Sequence, residues 1–318
     1  MSTSKGKGKE LAAPLPGPSS GSANPAASLS SLWAYLLPAL NHIVKSPTNN
    51  SDKAPAIDIG FYAGIHTACY NYFTSQSESK SNTRTSGEPA SGTDLYEQLD
   101  KYYIEAAREV MLGAPQDDAT LVQYIVPCFN RYSAGALSVN RLLNYVNRHY
   151  VKRAVDEDKG WLRLTDVLES VAKTITADDS REKISERLKE KRTDELKKWG
   201  YKVDGSGESV ASAEACAEAA SPPDRIVSVS SLAHRRFRTE VFDPLLAVPV
   251  VKGKKTKNKI PKAAGKSSPA PMPKGRLARA VKELLESKGE DEEERMRLIR
   301  DLAAGLRLVG VRPDHPPS

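Results

Sequence analysis

Histidine and cysteine are the side chains best able to serve as nucleophile, base or metal ligand, and their spacing in this chain argues against each role. His42, His66, His149, His234 and His315 lie far apart, as do Cys69, Cys128 and Cys216. No two of them have the spacing that holds a zinc ion, and no Ser/His/Asp or Cys/His arrangement is suggested. His149, inside the run NRHY, reads as a core or helix-end histidine. Phosphate-cradling motifs are also missing: there is no GxxxxGK[ST], and no GxGxxG follows a strand pattern. The sequence therefore predicts a noncatalytic protein with no cofactor and no metal.

Composition narrows the class further. The 318 residues include 21 Pro and 20 Gly, with long Ser, Ala and Lys tracts, so much of the chain cannot be core. A net charge of +7 and a pI near 9.1 fall short of a dedicated nucleic-acid binder. Three scattered cysteines make no disulfide framework, which fits a reducing compartment, cytoplasm or nucleus. No apolar leader and no run of eighteen apolar residues is present, so neither secretion nor a membrane partner is expected.

The elements that must carry any function are helices. Leu121, Tyr124, Ile125, Cys128, Phe129 and Tyr132 recur at the spacing that lines one helical face, and Val139, Leu142, Leu143, Val146 and Tyr150 repeat it. Ser133-Ala134-Gly135 between them reads as a break. Upstream, residues 1–28 read as a disordered arm. Trp33, Leu36, Leu37, Leu40 and Val44 form a stripe that Pro38 should kink. Tyr62, Ile65, His66, Cys69, Tyr72 and Phe73 form another, and Leu95, Leu99, Tyr102, Tyr103, Ala106 and Val110 a third, stopped by Gly113-Ala114-Pro115. Downstream, 181–199 reads as a solvated charged helix and SGESVASAEACAEAASPP as a low-complexity linker.

Several of these stretches resemble the first helical repeat of cullins, the elongated scaffolds of multisubunit ubiquitin ligases. YVNRHYVKRAVDED resembles a cullin segment close to YLNRHWVKR with an acidic pair, FYAGIHTACYNYFTS the second cullin helix, and DLYEQLDKYYIEAAREVM the third. IVSVSSLAHRRFRTEVFDPLL resembles the fifth, with Phe237 at the usual Trp place and Arg238, Phe242, Pro244 and Leu245 matching. The resemblance implies an all-α, elongated bundle of the cullin-repeat type. Its helices one to four would span 29–159, its fifth 225–249 and the start of a second repeat 276–311. Residues 160–224 would be a charged insertion and 250–275 a basic linker. The later repeats and the RING-recruiting end of a cullin are not expected in this chain.

The resemblance also implies a partner, a Skp-type or BTB adaptor carrying a substrate receptor, and no RING protein. Its docking residues, carried over, are Tyr62, Ile65, His66 and Cys69 on the second helix, with Gln123, Tyr124, Pro127 and Cys128 on the helix at 120–132. The alternative for Ile65, Cys69, Tyr124 and Cys128 is simple core filling. Gly64 and Pro127 on this expected face weaken the helices that carry it. A second reading takes Lys252–Lys266 as a nuclear signal or a phosphate-binding arm. With no aromatic between the lysines, nucleic acid is the less favoured partner.

Overall fold

A computed structural model of the chain describes residues 24–46, 53–82, 91–176, 179–202, 207–248, 275–287 and 292–312. The basic tract Lys252–Lys266 and most of the N-terminal arm lie outside the described residues. The described residues build an all-α bundle around one helix, α4 (Leu121–Leu142).

Three helices precede it. In α1 (Leu29–Val44), the Ser28 hydroxyl accepts from the Ser31 amide, and Leu32, Leu36, Leu40 and Ile43 are buried on one side. In α2 (Ile59–Asn82), the Asp58 carboxylate accepts from the amides of Gly60 and Phe61. In α3 (Thr93–Leu112), Leu95, Leu99, Tyr102, Tyr103 and Ala106 are buried as their spacing predicts. The turn into α3 is fixed by Gly92, whose φ of 90° favours glycine and whose absent Cβ would stand 2.4 Å from the Phe73 ring.

The Ser-Ala-Gly break is not there: α4 runs unbroken through 133–135. Ser133, Gly135 and Ala136 are buried, and a Cβ on Gly135 would lie 3.0 Å from the Ile43 carbonyl oxygen and the Val44 Cα. Gly135 is therefore where α1 presses its backbone onto α4, while Ser133 faces His234 of a later helix. Tertiary contact outweighs the weak helix propensity of Ser and Gly. Pro127 sits on the exposed side of the same helix.

Next, α5 (144–156) contains a π-helical turn at Asn147–Val151. That turn carries the NRHYV motif, and its first residue explains part of it. The Asn147 side-chain oxygen accepts from the Val229 amide at 3.0 Å, and Asn140 accepts from Ser230 at 3.1 Å. Two asparagines thus satisfy free amides at the start of α9 (229–246), 82 and 90 residues later. Arg153, at the end of the motif, donates to the Ser91 carbonyl at 2.7 Å. Helix α9, which also holds a π turn, packs Phe237 and Phe242 against Phe129 and joins α3 through a two-pronged Arg236–Asp100 pair at 2.5 Å.

Between α5 and α9 stand α6 (Leu164–Ala172), α7 (Arg181–Lys197) and α8 (Gly207–Ala220). The charged α7 is largely exposed, as its composition predicts. The expected linker is instead α8, with Ala213, Cys216, Ala217 and Ala219 buried. Alanine is the best helix former, and small side chains let α8 lie close on α9. The buried Arg235 of α9 locks it there, donating to the Glu218 carbonyl, the Ser221 hydroxyl and the Arg225 carbonyl. Finally α10 (Arg276–Glu286) and α11 (Glu292–Leu308) pack on α4. Asp118 accepts from both Arg276 and Arg279; burial opposes its ionisation, but the two guanidiniums hold its carboxyl below the usual range. Leu277, Ala280, Leu284 and Leu302 are buried, whereas Leu285 and Met296 stay exposed.

Candidate functional site

Helix α2 has two apolar faces. Phe61, Ile65, Ala68, Cys69, Tyr72 and Phe73 are buried. Ile59, Tyr62 and Tyr70 are 83%, 41% and 50% exposed, and Ala63 and His66 are exposed beside them. These five recur at i, i+3, i+4, i+7 and i+11, a second stripe that no other part of the chain covers among the described residues.

Tyr145 of α5 extends that stripe sideways. Its ring meets His66 and Tyr70 edge-on at 5.8 Å and Phe73 at 5.3 Å, and it stacks on His149 at 4.0 Å. The Tyr62 hydroxyl reaches the Arg141 carbonyl at 3.4 Å, beside the end of α4. The outcome is an aromatic face across α2 and α5, fixed by ring packing. Tyr145 and His149 were not among the residues the sequence offered for docking. The available signal was that Tyr145 falls off the Leu142–Val146 core stripe yet is aromatic.

The eight expected docking residues are distributed over three places. Tyr62 and His66 belong to the exposed aromatic face. Ile65 and Cys69 point into the core at 0% and 1% exposure, and burial pushes the Cys69 thiol up to about 12, which removes it as a nucleophile. Gln123, Tyr124, Pro127 and Cys128 occupy the first half of α4, about 20 Å or more along the axis from Arg141. There Tyr124 donates to the Val110 carbonyl at 2.9 Å, and with Cys128, Lys45, Glu109 and Arg131 it lines a cleft of 290 Å³. Pro127 lines a different groove of 580 Å³ between α4 and α11, beside Leu137 and Leu298. The structure does not bring these four to Tyr62 and His66.

One pair with catalytic residue types does meet. Ser133 and His234 are 2.9 Å apart through Oγ and Nε2. Both are buried, His234 Nδ1 has no partner, and no carboxylate orients the ring. Burial lowers the imidazole to about 4, so the pair is a neutral core contact between α4 and α9. Among the described residues no group of three His, Cys, Asp or Glu is placed to hold a metal ion, and no helix is long and apolar enough to cross a membrane.

Comparison with known proteins places a likeness on part of this chain. It is 24% identical over 141 residues to Cell division control protein 53 of Saccharomyces cerevisiae, covering 41% of this chain and 17% of that protein. It is 26% identical over 106 residues to Cullin-1 of Dictyostelium discoideum, covering 31% of this chain and 14% of that protein. The likeness is partial and cullin-like. No family model matches the chain, and no solved structure matches it.

Proposed function

We propose that this chain is a noncatalytic, cullin-like scaffold segment that docks an adaptor of a ubiquitin ligase, of the Skp or BTB type, on its α2–α5 aromatic face. The observation that carries the reading is the second apolar stripe of α2, in which Tyr62, His66 and Tyr70 are exposed and the last two are held against Tyr145. Rigid aromatic side chains at the centre of a patch are the usual anchors of protein interfaces, because they bury large areas at small entropic cost. The partial likeness to Cullin-1 and Cell division control protein 53 supports the choice of partner class. The work of such a segment is positioning, in the cytoplasm or nucleus, within ubiquitin-dependent protein turnover.

The test is calorimetric titration of the full chain with Skp-type and BTB adaptors, repeated with Tyr62→Ala/Tyr70→Ala. One adaptor class should bind, and the double variant should bind at least tenfold more weakly. Adaptors that fail to bind, or bind both proteins equally, refute the reading.

A further inference from the structure

The aromatic face has a charged border. Arg141, Arg148 and Lys152 are exposed along the edge of α4 and α5, at intervals of seven and four residues. Arg141 lies beside Tyr62, whose hydroxyl bonds its carbonyl. Arg148 neighbours His149, the residue stacked on Tyr145. Several surface cations elsewhere are paired, Arg108 with Glu240, Arg163 with Asp224, Arg192 with Glu214 and Arg225 with Asp166, while others such as Lys101 and Lys183 are exposed with no ion pair among the described residues. Arg141, Arg148 and Lys152 form no ion pair among the described residues. Arg148 and Lys152 are one helical turn apart on α5, within about a Debye length at physiological salt, so their fields add.

Resting on the docking reading above, we infer that the α2–α5 face selects a partner whose docking surface is apolar at its centre and acidic at its edge, and that Arg141, Arg148 and Lys152 steer its arrival. Rim charges act mainly on the association rate, whereas buried aromatic anchors act on the dissociation rate. A protein partner fits better than single-stranded nucleic acid. Base stacking needs a free ring face, and Tyr145 at the centre of the cluster is already stacked on His149, while Ile59 and Ala63 of the same stripe offer aliphatic surface that a base does not need.

Stopped-flow or surface-plasmon measurement of adaptor binding between 50 and 500 mM salt tests this, using the full chain and the variant Arg141→Glu/Arg148→Glu/Lys152→Glu. The association rate of the native chain should fall at least tenfold over that range. The variant should associate at least tenfold more slowly at low salt with a dissociation rate within about threefold of native, whereas Tyr62→Ala should do the reverse. Circular dichroism checks that the variant is folded; if it is not, Arg148→Glu alone carries the test with a smaller slowing in the same direction. Binding that is lost with Tyr62→Ala yet indifferent to salt and to charge reversal overturns the steering and leaves the docking face standing. Absence of adaptor binding, with an oligo(dT) strand held through the same three cations, overturns both.

Discussion

Two aromatic clusters in this molecule use the same residue types for opposite ends. Inside, Phe129, Tyr132, Phe237 and Phe242 lie 4.9 to 5.7 Å apart, all buried, and the Tyr132 hydroxyl is satisfied by the Ala233 carbonyl. Outside, His66, Tyr70, Tyr145 and His149 lie 4.0 to 5.8 Å apart with Tyr70 half exposed. Ring geometry is therefore similar in both, and what differs is how much water each has lost. Burial of apolar area stabilises the fold, so the inner cluster holds α4 to α9, while the outer one leaves part of its ring area in water, the area the proposed function assigns to a partner.

Mutation should separate the two by magnitude. Phe237→Ala empties a site that is fully buried and should lower unfolding free energy by about 3–5 kcal/mol in urea titration. His234, next to Phe129, tests the inner cluster by pH. Above pH 6.5 its ring is neutral folded or unfolded. Between 6.5 and about 4 only the unfolded chain takes up the proton, so stability falls with acidification, by about 3 kcal/mol in total. His234→Gln should lose that part of the slope; a variant with the native pH profile would show that the imidazole is not sealed from water. Gly135→Ala, at the α1–α4 seam, meets backbone rather than side-chain ends and should cost about 1–3 kcal/mol. Asn147→Ala leaves the Val229 amide without its acceptor and should cost about 1 kcal/mol.

The helical stripes were legible because burial on one side imposes a 3.6-residue period. Leu95, Leu99 and Tyr103, or Val139, Leu142 and Val146, are buried where that period puts them. Two stretches were misread for a shared reason. Ser133-Ala134-Gly135 and the Ala-rich 207–220 have weak or small side chains, whose value lies in letting another helix come close, and no local pattern records the neighbour. The exposed aromatic face was half legible. Tyr62 and His66 share the helical spacing of Ile65 and Cys69, but a period alone does not say which of two apolar faces is turned inward. Asn147 is a starker case, since its acceptor role depends on a helix start 82 residues away.

The smallest expected effect is the most informative about the outer cluster. Tyr70→Ala removes a ring that is half in water and has one edge contact, on Tyr145. Its cost to folding should stay near 0.5 kcal/mol, the ordinary size for a surface change plus part of one ring–ring contact. A thermal or urea midpoint that barely moves, beside a loss of several kcal/mol for Phe237→Ala, would mean that the outer rings are dispensable to the fold. A cost above about 2 kcal/mol would instead place Tyr70 and Tyr145 in the core's cooperative unit, and the face would then be a wall of the bundle rather than a surface awaiting a partner.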